Sequence, residues 1–156
     1  DKLVTGVQTC ALPIYQSDRA FLLNTYREIG SLDIVIDDGS HINEHVIAAF
    51  LVLFPLLNVP GLYAIEDTQT SYWWEFGGNA DPVDPRTTMS FLKGLADRIN
   101  FPEIPRSSVV PPDDLEASIV ALHFYRSLVF VEKGDNTAPS VKLASLMARR
   151  AAGLSR

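Results

Sequence analysis

The sequence predicts an α/β fold in which parallel strands lead into an antiparallel hairpin. Three observations carry this. Two short apolar runs, at 34–36 and 62–65, each end in acidic residues: Asp37 and Asp38 after the first, Glu66 and Asp67 after the second. Between them, Val46, Ile47, Phe50, Leu51 and Phe54 recur at helical spacing. A strand–helix–strand crossover makes neighbouring or near-neighbouring parallel strands. Further on, residues 118–124 and 128–133 read as two strands around a short turn at 125–127, a hairpin.

Composition bounds the function classes. The 156 residues suffice for one domain with a real core, and 47% hydrophobic content is ordinary for a globular chain. A formal net charge of −6 argues against nucleic acid or an anionic membrane as the main partner. No apolar run in the sequence approaches the roughly 20 residues that span a bilayer. A single cysteine, Cys10, excludes an internal disulfide framework and a multi-cysteine zinc site. These features fit a cytoplasmic protein.

Taken in order, residues 1–14 show neither strand alternation nor helical spacing. The string VQTCALPI within them resembles the translated read-through of a sequencing adapter, so they are expected to be a non-native or disordered leader. From Gln16 the pattern is coherent. Ser17 or Asp18 can cap a helix to Ile29 with Phe21, Leu22, Thr25, Tyr26 and Ile29 on its apolar face, and Gly30 stops it. The first strand follows, and Gly39 permits a sharp turn after Asp38. Asn43 is the expected N-cap of the crossover helix, and Pro60 and Gly61 mark a turn into the second strand. Residues 68–85 form a long loop rich in Gly, Pro and aromatics that leaves the second acidic strand end directly and should overhang it. A helix is expected over 87–100 with Phe91, Leu92, Leu95 and Ile99 inward. Four prolines make 101–114 irregular, and a short helix basic at its end is expected over 141–152.

The carboxyl ends of parallel strands share one sheet edge, where open α/β folds bind ligands. Asp38, Glu66 and Asp67 converge there as hard oxygen donors suited to Mg²⁺, Mn²⁺ or Ca²⁺. Like charges this close are costly unless a cation or proton lies between them. His41 stands one short turn beyond Asp38, and an imidazole changes charge near neutral pH, which suits a general base. The plain alternative is that acidic residues end strands because strand ends meet water. His45 reads as an exposed first-turn residue and His123 as a core or edge residue of the hairpin. Trp73 and Trp74 read either as plain packing residues or, on a glycine-flanked loop over the site, as a lid that stacks on substrate, the reading favoured here.

DIVIDDGSH, followed by GLYAIEDTQTSYWWEFGG, resembles the class I S-adenosylmethionine-dependent methyltransferases that act on macrolide sugars, of the mycinamicin VI and demethylmacrocin O-methyltransferase type. The cephalosporin-hydroxylase-like proteins share the layout. The resemblance covers residues 16–136, and the hairpin ALHFYRSLVFVEKG matches the antiparallel end of the Rossmann-like class I sheet. It implies Mg²⁺ ligands at Asp38, Glu66 and Asp67 and a catalytic base at His41. It also implies contacts to S-adenosylmethionine from Gln16, Ser17, Asp18 and Asp37, and an acceptor sugar covered by Tyr72, Trp73 and the loop up to Gly78. The implied reaction is methyl transfer to a hydroxyl of a sugar or natural-product polyol; which acceptor does not follow, nor whether the full-length protein is a homo-oligomer.

One departure bears on the whole. Class I methyltransferases hold the donor's amino-acid end in a glycine-rich turn after the first strand, and no GxGxG turn occurs in this sequence. Residues 15–156 are therefore expected to be the C-terminal part of a catalytic domain, with the cation and base half present, much of the donor pocket missing, and no activity alone. Two alternatives remain: a metal-dependent enzyme of the cephalosporin-hydroxylase-like kind, and a non-catalytic metal-binding fragment.

Overall fold

The computed structural model describes residues 16–104 and 112–153. The expected leader and Cys10 lie outside the described residues, as does part of the proline-rich stretch. Helix α1 (Arg19–Ile29) is capped by Asp18, whose carboxylate accepts from the Ala20 and Phe21 N–H groups. It leads to strand β1 (Leu32–Asp37), helix α2 (Asn43–Leu53) and strand β2 (Leu57–Glu66). Tight helical turns at Thr68–Tyr72 and Trp74–Phe76 precede helix α3 (Thr88–Ile99). A short helix α4 (Asp114–Ser118), opened by a capping box between Asp113 and Glu116, feeds strand β3 (Ile119–Tyr125) and strand β4 (Leu128–Lys133). Helix α5 (Val141–Ala151) follows.

The four strands form one mixed sheet in the order β1-β2-β4-β3. β1 and β2 are parallel, and β4 is antiparallel to both β2 and β3. The α/β class, the parallel pair and the terminal hairpin are thus as the sequence predicts. The expected turn at Pro60 and Gly61 lies inside β2 instead. The register between Leu32↔Leu57 and Ile34↔Leu62 shifts there, so the extra residues form a bulge. A Cβ on Gly61 would lie 2.5 Å from the Asn58 carbonyl oxygen, so only glycine fits the bulge.

The core lies between one sheet face and helices α2 and α3. Tyr63, Ile65, Val129 and Val131 face Phe50, Phe54, Leu92 and Leu95, all of them at most 1% exposed. Phe50 is the centre: its ring stacks on Phe54 at 4.8 Å and meets Tyr63 and Phe91 edge-on at 5.0 and 5.4 Å. Lys133 closes the far end. Its buried Nζ donates to the Pro55 and Leu57 carbonyls at 2.6 and 2.7 Å, and burial holds its pKa below the usual lysine range.

The expected face of α2 needs correction. Val46 and Phe50 point to the sheet, but Leu51 is exposed, while Ala49 and Val52 are buried against Leu22 of α1. The helix is apolar nearly all round, so periodicity alone could not orient it, and two neighbours share it. Ile29 of α1 is likewise exposed. The N-cap of α2 is Ile42, not Asn43; Asn43 is the first helical residue and its side chain is used elsewhere.

Candidate metal and acceptor site

Strand β1 ends at Asp37, and the chain turns at once. Asp37 is buried, with its carboxylate accepting from Gln16 Nε2 at 2.6 Å and from the Tyr63 hydroxyl at 3.3 Å. Gln16 also accepts from the Ser40 N–H through Oε1 at 2.6 Å, so one amide brackets the whole turn. Gly39 is what lets it approach, since a Cβ there would lie 2.5 Å from Gln16 Oε1. Burial pushes the Asp37 carboxyl up to about 6; the Tyr63 hydroxyl, the Gly39 N–H and the charge of His41 oppose that rise, and Asp38 adds to it.

The turn delivers Asp38 and His41 to the edge above β2. His41 Nε2 lies 3.8 Å from Asp38 Oδ1 and 3.5 Å from Asp67 Oδ2. One ligand atom from each of Asp38, His41 and Asp67 lies within 4.8 Å of the others, a spacing a single cation can bridge. His41 (φ 56°) and Asp67 (φ 50°) both adopt left-handed backbone without being glycine. Such residues are uncommon and cost on the order of 1–3 kcal/mol each unless their surroundings hold them there. Two of them facing each other across the cluster indicate that the fold enforces its geometry. The two carboxylates, with Asp38 and Asp67 side chains 60% and 47% exposed, fit a hard divalent cation with an open side, and His41 Nε2 stands beside them.

Glu66 is not in this trio. It ends β2 one residue after Ile65. It pairs with Leu128 of β4 at the strand end, and its side chain is exposed.

The loop after Asp67 is pinned rather than loose. Thr68, Thr70 and Ser71 are buried. Asn43, 1% exposed, donates to the Thr70 and Phe76 carbonyls and accepts from the Thr88 N–H at 2.7 Å. Ser71 Oγ accepts from the Met89 N–H at 3.0 Å, and the Thr68 N–H reaches the Ser127 carbonyl at the hairpin tip. On this base Tyr72 and Trp73 stand half exposed, Trp74 more so. The Phe76 ring meets His41 edge-on at 6.5 Å and Trp73 at 6.1 Å. Past Thr68, the residue after Asp67, lies a groove of about 550 Å³ whose walls include Gln69, Tyr72, Trp73, Met89, Tyr125 and Arg126.

Sequence reasoning missed several of these residues. Gln69, Arg126 and the bridging role of Asn43 carry no motif; only proximity in the folded chain reveals them. His45 is half buried rather than exposed, with Nδ1 3.0 Å from Ser40 Oγ. His123 lies on edge strand β3, its Nε2 2.7 Å from Glu132 Oε1. Asp18 spends a carboxylate oxygen on the α1 cap, and Ser17, beside it, is half buried.

No protein-family model matches the chain. It is 48% identical over 122 residues to an 8-demethyl-8-alpha-L-rhamnosyl tetracenomycin-C 2'-O-methyltransferase of Streptomyces olivaceus, covering 78% of this chain and 32% of that protein. It is 48% identical, over the same share of this chain and 31% of the relative, to a mycinamicin VI 2''-O-methyltransferase of Micromonospora griseorubida. The fold matches the crystal structure of the MycE methyltransferase of the mycinamycin biosynthetic pathway, in complex with Mg and SAH. The TM-score is 0.76 at 42% identity, over 86% of this chain and 37% of that one. A second MycE structure, with Mg, SAH and mycinamycin VI, matches with a TM-score of 0.74. The chain thus spans about a third of the length of these relatives. Over that third, the chain is similar in sequence and in fold to these O-methyltransferases.

Proposed function

We propose that this chain supplies the cation-binding, base-bearing and acceptor-facing part of an S-adenosylmethionine- and Mg²⁺-dependent sugar O-methyltransferase. The observation that carries the reading is the convergence of Asp38, His41 and Asp67 at the carboxyl edge of two parallel strands. It is supported by the relatives, which are O-methyltransferases of sugar-bearing antibiotics, and by the solved MycE structures with Mg and SAH. The acceptor is then a small glycoside or polyol.

Asp38 and Asp67 would hold the cation, with Glu66 the remaining carboxylate at the same strand end. A bound divalent cation supplies charge that offsets the carboxylates and acidifies a neighbouring hydroxyl. His41 Nε2, between the two carboxylates, accepts the proton of the acceptor hydroxyl. S-adenosylmethionine, when bound, would supply the methyl group to the freed oxygen, its sulfur–methyl bond breaking to give neutral S-adenosylhomocysteine. Asp38 and Asp67 stabilise the imidazolium that results. Tyr72 and Trp73 offer aromatic faces to the sugar and keep water from the reacting oxygen; such positioning and charge stabilisation account for most of the rate in chemistry of this kind. Gln16 brackets the turn that carries these groups; Gln16, Ser17 and Asp18 would contact the donor near its adenine, and Asp37 would lie beside the methyl donor.

The test is methyl transfer. The upstream portion of the mycinamicin VI 2''-O-methyltransferase is joined to residues 16–156, and transfer from labelled S-adenosylmethionine to a deoxysugar macrolide is measured with and without Mg²⁺. Mg²⁺-dependent labelling of the sugar, lost in His41→Ala, is expected. A folded chimera that binds donor and acceptor yet transfers no methyl group would contradict the reading.

A further inference from the structure

We propose that Gln69 is a positioning residue for the cation site, holding Asp67 so that one carboxylate oxygen stays turned toward His41 and Asp38. The inference rests on the reading that Asp38 and Asp67 bind a divalent cation beside His41. Gln69 Nε2 donates to Asp67 Oδ1 at 2.9 Å, while Asp67 Oδ2 faces His41 Nε2 at 3.5 Å. The two oxygens of one carboxylate are thereby divided between a neutral amide donor and the cluster. An ionised carboxylate only accepts, so the amide nitrogen of Gln69 must face it. That choice leaves Gln69 Oε1 buried with no partner among the described residues. Buried polar atoms are nearly always satisfied, and an orphan is destabilising. An apolar side chain of the same size would avoid that cost, so the amide is explained by what its other end does.

The rest of Asp67 is fixed to match. Its backbone is left-handed, and its carbonyl oxygen accepts from both the Thr70 N–H at 3.0 Å and the Thr70 hydroxyl at 2.9 Å. With backbone and carbonyl held, the carboxylate rotation is the remaining freedom, and Gln69 is the side chain that removes it. Groups that orient metal ligands in this way typically change metal affinity by about 10–100-fold when lost.

The experiment titrates the full chain with Mn²⁺, reading free Mn²⁺ by electron paramagnetic resonance, alongside thermal unfolding in EDTA. Gln69→Met keeps length and flexibility but removes both the donor and the orphan oxygen; Gln69→Leu is the second variant. The expected result is Mn²⁺ binding weakened about tenfold or more, with a metal-free unfolding midpoint equal to or above the wild type. A purely packing residue would not separate the two readouts. Unchanged Mn²⁺ affinity in both variants, with the wild type binding, would overturn the role of Gln69 alone. Affinity and midpoint falling together in both variants would overturn it in favour of a structural role. A wild-type chain that binds no Mn²⁺ would overturn the cation reading and this inference with it.

Discussion

His41 and Asp67 face each other with 3.5 Å between Nε2 and Oδ2, and each holds a left-handed backbone that neither residue type adopts without cost. The two come from separate crossovers of the sheet edge: His41 from the turn after β1, Asp67 from the end of β2. The pair is therefore a product of the parallel register that sets Asp37 beside Ile65. Backbone strain at both ends of one contact ties the fold to the chemistry proposed for it.

Replacing His41 by alanine removes the proposed base. In an active chimera, His41→Ala should lower turnover by about 10²–10⁴-fold, with donor affinity little changed. Steady-state kinetics and equilibrium donor binding on the same preparation check this. Near-normal turnover at neutral pH would leave His41 only a structural part.

Asp37 makes stability depend on pH. Its carboxyl is pushed up to about 6 in the folded chain by burial, against about 3.9 when unfolded. A raised carboxyl favours the folded, protonated form, so its stabilising share is present below about pH 4 and lost as pH rises through about 6. The shift corresponds to a loss on the order of 3 kcal/mol. Asp37→Asn keeps a carbonyl for Gln16 and cannot ionise. In metal-free buffer, the wild-type unfolding midpoint should fall relative to Asp37→Asn between pH 4 and 7. A constant difference across that range would show that Asp37 does not titrate as described.

Lys133 ties the start of β2 to the end of β4 through two carbonyls. Lys133→Met fills the space but leaves the Pro55 and Leu57 oxygens without that donor. A destabilisation of about 1–3 kcal/mol is expected from such losses, read by urea unfolding. An unchanged midpoint would mean that water replaces the ammonium there.

Asn43 joins α2, α3 and the loop after Asp67 through three hydrogen bonds. Asn43→Ala should destabilise the chain by about 2 kcal/mol or more, since it orphans buried backbone groups. It should also increase hydrogen exchange of the Thr88 amide, whose acceptor is Asn43 Oδ1. Protection equal to the wild type at that amide would mean that another group takes over as its acceptor.

Much of the fold was legible because each strand of the parallel pair announces itself twice, by an apolar run and by the acidic residues that end it. The hairpin was legible for a similar reason, alternation on either side of a short turn. The face of α2 was not, because IAAFLVL is apolar on every side and only its two neighbours decide which residues are buried. The bulge at Pro60 and Gly61 read as a turn because the same residue types serve both. In the site, Asp38, His41 and Asp67 stand together, and Glu66 ends the strand directly before Asp67. Gln69 and Asn43 were silent: an amide's role depends on which groups the fold brings to its two ends, and neither end is written in local sequence.

The most direct test of the account is Mn²⁺ binding to the full chain, with Asp38→Asn and Asp67→Asn compared with the wild type by calorimetry. One site in the wild type, weakened at least tenfold in each variant while both remain folded by circular dichroism, is the predicted result. A wild-type chain that is folded and binds no Mn²⁺, or variants that bind it as tightly as the wild type, would contradict the placing of a cation between Asp38 and Asp67, beside His41.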